Sequence, residues 1–212
     1  MMKRTSASAP RPASPSSNPP PSPGADLELA RRAAAGDVRS TKVLLEAVAP
    51  SVVRAVRAMM GPRHPDADDA AQLALLAFVQ ALPTFRGDCD PRRFAVRIAI
   101  RTAGATRRRY LARYDRHDSR VDVDEIEAFV DEPHARQRRQ AVLQLVDELP
   151  EEQAETMALR FVMGWKLHEI AEVTHVPFNT VRSRLRLAKE ALLRRIAENP
   201  ALAEAVDASD DD

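Results

Sequence analysis

The chain has 212 residues, with 32 Lys and Arg against 31 Asp and Glu and a formal net charge of +1, a length that holds either one large domain or two small ones. Only 6 Gly and 4% aromatic residues among many Ala, Leu, Arg and Glu exclude a sheet-dominated protein, because pleated surfaces draw on β-branched and aromatic side chains, and an all-α fold is expected. The single Cys89 excludes an internal disulfide, no Cys and His spacing fits a metal, and no run of about 18 apolar residues is present to span a bilayer, so a reduced, cytoplasmic setting without cofactor, metal or membrane insertion is expected.

Residues 1–25 are Pro/Ser-rich, with Pro10, Pro12, Pro15, Pro19, Pro20, Pro21 and Pro23 withholding backbone donors, and read as a disordered leader. Asp26 opens a short helix over Leu27, Leu29, Ala30, Ala33 and Ala34, stopped at Gly36-Asp37, a pair suited to a helix end and a new cap. From Ser40 to Met60 the apolar residues Val43, Leu44, Ala47, Val48, Val52, Val53, Val56 and Met59 recur at helical spacing, and Pro50 predicts a kink or break among them. A helix capped at Asp66-Ala67-Asp68-Asp69 follows, with Ala71, Ala74, Leu75, Phe78 and Leu82 inward, ending before Pro83. Another begins near Pro91, with Phe94, Ile98 and Ala105 inward and Arg97, Arg101 and Arg108 outward.

The near-zero net charge conceals segregation. Eight Arg and no acid lie between Pro91 and Tyr114, whereas Asp115 to Glu132 carries eight acids against Arg116 and Arg120. Cations with no acid among them repel one another, so the basic helix calls for an anionic partner. The acidic stretch has too few apolar residues to close a core and reads as a flexible strap, spanning 114–134. It separates a first module, 26–113, from a second, 135–198, and an acidic disordered tail, 199–212, closes the chain.

In the second module a helix through Asp147 precedes Leu149-Pro150-Glu151-Glu152, where Pro and acids suit a helix start, and Gly164 ends the next helix. Leu167 to Lys189 then has the layout of a helix-turn-helix. A short helix carries Leu167, Ile170 and Ala171, a tight turn falls at His175-Val176, and a second helix turns Val181 and Leu185 inward. Ala171 is small where the axes cross, Val176 and Val181 fill the angle between them, and Asn179 is a candidate cap. Outward lie Asn179, Thr180, Arg182, Ser183, Arg184, Arg186 and Lys189, able to donate to phosphates and base edges in a major groove. The alternative is an amphipathic helix with an ordinary solvated basic face.

The residues Leu149-Pro150-Glu151-Glu152-Gln153, Leu159-Arg160-Phe161, Gly164-Trp165, Glu169-Ile170-Ala171-Glu172 and Val176 through Leu185 resemble region 4 of sigma factors, which reads the −35 promoter element. Upstream, Asp66 through Gln72, Phe85-Arg86-Gly87 and Phe94-Ala95-Val96-Arg97-Ile98-Ala99 resemble region 2, which grips the polymerase clamp and opens the −10 element. Order and spacing, over about residues 26–112 and 136–196, follow the two-module plan of the extracytoplasmic-function group. Four positions depart from the family pattern: Leu73 stands where Glu is usual, Phe94 where Trp is frequent, Arg101 for Asn, and His175 for Gly at the turn.

The resemblance implies RNA polymerase core enzyme and promoter DNA as partners, an anti-sigma factor by family analogy, and no catalytic activity. Asp66, Asp69 and Gln72 would face the polymerase, and for Asp66, Asp68 and Asp69 helix capping accounts better than a metal, since no further ligand follows at suitable spacing. Phe85, Arg86, Arg92, Arg93, Arg97, Arg101, Arg107 and Arg108 would hold the melted −10 strand, with Phe85 either stacking on a flipped base or anchoring the core. Two alternatives stand beside this reading: a helix-turn-helix regulator that acts without polymerase, and a sigma-like protein that has lost core binding, for which Leu73 is the reason.

Overall fold

A computed structural model describes residues 23–61, 64–114 and 145–198, which are helical with no strand among them. The acidic strap, the leader before residue 23 and the tail beyond 198 lie outside the described residues. Helix α1, Pro23–Ala34, begins three residues ahead of Asp26, where the sequence placed its opening. Asp26 is buried, and accepts from Arg92 Nε at 3.1 Å, tying α1 to a helix far along the chain. Gly36, at φ 93°, makes the turn that glycine takes without steric cost. Asp37 then caps α2, Val38–Met60, by accepting from the backbone N–H of Arg39 at 3.1 Å and of Ser40 at 3.3 Å, with the Ser40 hydroxyl also donating to it. That hydroxyl bond, helped by the two backbone donors and opposed by burial, holds the Asp37 carboxyl below its ordinary range.

Of the kink or break expected at Pro50, the break does not occur. One helix runs through it, because Leu44 and Val48 before the proline and Val52, Ala55, Val56 and Met59 after it are all buried. Packing on both sides outweighs the single backbone bond that the ring removes. Helix α3, Ala67–Ala81, starts at Asp66 without the expected side-chain cap; the Asp66 N–H instead donates to His64 Nδ1 at 3.2 Å. Burial, with Arg107 nearby and Asp66 opposing, lowers the pKa of that imidazole, and its ring meets Tyr110 edge-on with centroids 4.6 Å apart. A 3-10 turn, Leu82–Thr84, leads to α4, Pro91–Tyr114, whose start is held by Asp90 Oδ1 accepting from the Arg92 N–H at 2.7 Å.

Helices α1 to α4 enclose a core in which Leu44, Val48, Val52, Val56, Phe78 and Leu82 are fully shielded. Phe94 sits between Phe78 and Phe85, at centroid distances of 6.1 and 5.1 Å. The second module consists of α5, Glu151–Met157, which continues as a π turn over Ala158–Val162, then α6, Leu167–Thr174, and α7, Phe178–Glu198. Leu159, Ile170, Val173 and Val181 belong to one buried cluster with the first module's core, and Val146, Leu149, Ala154 and Ala188 form a satellite cluster. The two modules are packed together: α4 touches α5, the π turn and α6, and α2 touches the π turn. Replacing Phe78, with 0% exposure, in Phe78→Ala should cost about 3–5 kcal/mol in urea or thermal unfolding, whereas Leu193→Ala at the exposed end of α7 should stay within about 0.5 kcal/mol of the parent.

Candidate nucleic-acid interface

The helix-turn-helix geometry follows from a few residues. The α6 helix begins with the Glu169 carboxylate accepting from the Lys166 N–H at 2.8 Å and ends at His175, which adopts the left-handed conformation at φ 56°, ψ 36°. This is the position where the sequence substitutes His for Gly, and the chain turns there as expected at the modest cost of a Cβ in that region. Val181 is fully buried and Val176 and Ala171 pack beside it. Asn179 is not the cap of α7. The helix starts at Phe178, and the Pro177 carbonyl accepts from the N–H groups of Thr180 at 2.8 Å and Val181 at 3.2 Å, which puts Asn179 inside the first turn and exposed.

On the outer side of α7, Asn179, Arg182, Ser183, Arg186 and Lys189 are exposed, with Thr180 and Arg184 half-buried beside them. Their spacing places them on a continuous stripe. Arg186 pairs with Glu190 at 2.6 Å. Among the described residues, no carboxylate lies within salt-bridge distance of Arg182, Arg184 or Lys189, so this stripe keeps donors open to an outside anion.

The arginines of α4 are placed differently. The sequence argument held that their outer side is wholly cationic; the structure sets carboxylates of the second module against it. Arg93 donates to Glu169 at 2.6 Å, lies 4.0 Å from Glu172 and has its guanidinium 5.8 Å from the Trp165 ring centroid. Arg97 donates to Glu155 at 2.7 Å and to the Val173 carbonyl at 3.1 Å, satisfying an acceptor in the last turn of α6. Arg101 reaches Glu151 at 2.6 Å and Arg107 reaches Asp147 at 2.5 Å. Arg107 is buried, and Arg92 is committed to Asp26. Burial pushes the Asp147 carboxyl above its ordinary range despite Arg107 and Arg108, while the Lys166 N–H and then Arg93 hold Glu169 below its own.

Phe85 is partly buried against Phe94, and Arg86 beside it is exposed. On α3, Asp69 and Gln72 are exposed and Asp66 is half-exposed. Leu73 is 47% and Leu76 60% exposed, and the spacing of residues 69, 72, 73 and 76 gathers them on one side of the helix. Sequence reasoning identified Leu73 on that side but missed Leu76; a second outward leucine three residues on was the available signal. It also missed Asp147, Glu151, Glu155 and Glu169 as partners of α4, for which only the alternation of basic and acidic blocks gave a hint.

Two helical modules, the second built on a helix-turn-helix with an open basic stripe, define a DNA-binding protein. Residues 44–116 match the family described as Sigma-70 region 2 and residues 139–192 the family described as Sigma-70, region 4. The chain is 32% identical over 145 residues to the ECF RNA polymerase sigma-E factor of Escherichia coli (strain K12), covering 62% of this chain and 74% of that one. It is 30% identical over 180 residues to the RNA polymerase sigma-H factor of Pseudomonas aeruginosa, covering 79% and 91%. A solved structure of CnrH in complex with the cytosolic domain of CnrY is 23% identical with a TM-score of 0.49, covering 82% of this chain and 99% of that one. The chain belongs to the extracytoplasmic-function group of sigma-70 RNA polymerase sigma factors. No helix among the described residues is long and apolar enough to cross a membrane.

Two outcomes follow from the geometry around the turn. His175→Val should be less stable than His175→Gly by about 1–2 kcal/mol, because both lose the side chain's approach to Asp88 but only valine pays the left-handed penalty; paired urea titrations measure it. Burial, then Asp90 and Asp88, pushes the Cys89 thiol up to about 11, so a maleimide at neutral pH should leave it unmodified until denaturant is added.

Proposed function

We propose that the second module, 135–198, places α7 in the major groove of the −35 element, and that the first, 26–113, binds core polymerase and the melted −10 strand. The observation that carries the −35 assignment is the stripe of Asn179, Arg182, Ser183, Arg186 and Lys189, exposed on the second helix of a helix-turn-helix, with Thr180 and Arg184 on its flank. Arg182, Arg184 and Lys189, which have no salt-bridge partner among the described residues, supply phosphate contacts, and Asn, Ser and Arg offer the donors and acceptors that base edges require.

For polymerase, the proposed surface is the α3 side bearing Asp66, Asp69 and Gln72, with Leu73 and Leu76 as the apolar part of the contact. Two exposed leucines among polar groups support an interface there. For the −10 strand, the proposed ligands are Phe85, Arg86, Arg93, Arg97, Arg101 and Arg108, while Arg92, tied to Asp26, and Arg107, buried against Asp147, leave that set. The protein breaks no bond; binding energy is spent on strand separation and polymerase does the chemistry, in the cytoplasm, with an anti-sigma factor as a further partner by family likeness. The strap after Tyr114, the leader before Pro23 and the tail 199–212 belong to the same proposal as connecting and solvating segments.

Reconstitution with core polymerase on a promoter library tests the whole. Defined run-off transcripts should depend on this chain, and their absence would overturn the reading. Arg182→Ala and Arg184→Ala should each weaken promoter binding by the holoenzyme, with the slope of log affinity against log salt falling by about 0.9 for each phosphate contact removed. Unchanged affinity and slope would take α7 out of the interface.

A further inference from the structure

Phe178 stands apart from the phenylalanines of the first module. Phe78 and Phe85 pack on Phe94, with centroids 6.1 and 5.1 Å away. Phe178 is 48% exposed, joins neither described apolar cluster and, among the described residues, meets no other ring. It is the first residue of α7 and is held from both sides. Pro177 before it has a fixed φ, and the Pro177 carbonyl accepts from the N–H of Val181 at 3.2 Å, whose side chain is fully buried. That anchorage sets the rotation of the helix: Val181 and Ala188 turn inward, while Phe178 and Arg182, four residues apart, stand one above the other with Asn179 beside them, all exposed. Helical side chains lean toward the N-terminus, so the ring projects ahead of the first turn, the end of a recognition helix that reaches base edges. We propose that Phe178 is a specificity-determining residue of the −35 contact, its ring packing on the 5-methyl group of a thymine in the major groove. The inference rests on the placement of α7 in that groove under the proposed function, and adds an apolar reader to the polar stripe.

The chemistry of the groove narrows the partner to one group. Its floor displays ring nitrogens, carbonyl oxygens and amino groups, and a single apolar substituent, the thymine methyl. A phenyl ring laid over a polar edge strips its water and returns no hydrogen bond, which is unfavourable. Laid over the methyl, it removes apolar surface of both partners from water. Phosphates offer no alternative, since the ring has no donor for them. The neighbouring side chains suit the other base edges: Arg182 matches guanine O6 and N7, and Asn179 matches adenine N6 and N7. The ring therefore supplies the one kind of readout that the stripe lacks. Its ordering costs little, because a phenylalanine has only two rotatable side-chain angles and Pro177 already fixes the backbone entering it. Leu187, 43% exposed on the same helix, is a different case. Nine residues on, it lies more than two turns from the entering end and on the opposite edge of the stripe.

The test uses the holoenzyme, reconstituted with core polymerase, on the preferred −35 sequence selected from the promoter library. Each thymine of that element, on either strand, is replaced singly by deoxyuridine, which removes the methyl and keeps every base pair and hydrogen-bonding group. For the wild type, one such replacement should weaken promoter binding about fourfold, the gain lost with one buried methyl group. For Phe178→Ala the same replacement should leave affinity unchanged. Phe178→Leu, which keeps an apolar contact, should retain most of the discrimination, and Leu187→Ala all of it. An equal ratio of thymine to deoxyuridine affinity in wild type and Phe178→Ala overturns the proposal, as does a preferred element without an A·T pair. If Phe178→Ala instead weakens assembly with core polymerase and leaves that ratio unchanged, the ring serves a protein contact and the proposal falls. The underlying placement is read separately, from Arg182→Ala. If that substitution weakens promoter binding while no replacement couples to Phe178, α7 stays in the groove and the methyl contact alone is lost. If Arg182→Ala changes neither affinity nor salt slope and no replacement couples to Phe178, the placement falls and the methyl contact with it.

Discussion

The placement of α4 governs the described structure. Its apolar side, through Phe94, Ala95, Ala99, Ile100 and Ala103, closes the first module's core, and its cationic side gathers the second module by four ion pairs and the Val173 carbonyl. A helix carrying eight arginines and no acid would be electrostatically strained beside a neutral neighbour. Setting Glu151, Glu155, Glu169 and Asp147 against it relieves that strain within the chain. Arg92 completes the arrangement in the opposite direction, turning to the buried Asp26 and pinning α1. One helix thus serves as the core of one module and the floor on which the other rests.

Much of the architecture was legible in the residues. Gly36-Asp37 gave a helix end and a cap, and both are present, because these signals act through bonds made within a few residues. The turn at His175 was legible for the same reason, as was the burial of Val181. Pro50 does not break its helix, because propensity counts only the lost backbone bond, whereas Leu44, Val48, Val52 and Val56 bury surface on both sides of it. Asp66 and Asn179 misled as caps: several residues near a helix start can serve, and which one does depends on chain direction set elsewhere, by His64 in one case and Pro177 in the other.

The candidate site was legible in kind but not in arrangement. The rule that clustered arginines need an anion identified the physics of α4 correctly. It could not identify which anion, because Arg97 and Glu155 are fifty-eight residues apart in sequence and adjacent only after the modules pack. The α7 stripe could be read directly, since all its members lie on one helix and, among the described residues, no other element supplies them with carboxylates. Information that is local in sequence survives in a linear reading; pairing across modules does not.

The energetics of the seam decide what kind of contact it is. An exposed pair such as Arg101–Glu151 adds about 0–1 kcal/mol, and a buried pair such as Arg107–Asp147 returns little beyond the cost of drying both partners. The upward displacement of the Asp147 carboxyl by burial, against the pull of Arg107, shows desolvation prevailing at the deepest point. The ion pairs fix register sharply, since any slip leaves a charge buried without its counter-ion, yet they themselves add modest net free energy. Apolar contact accompanies the ion pairs, since Ala158, Leu159, Ile170 and Val173 belong to the same buried cluster as the first module's core, and that burial adds free energy which the charges alone do not.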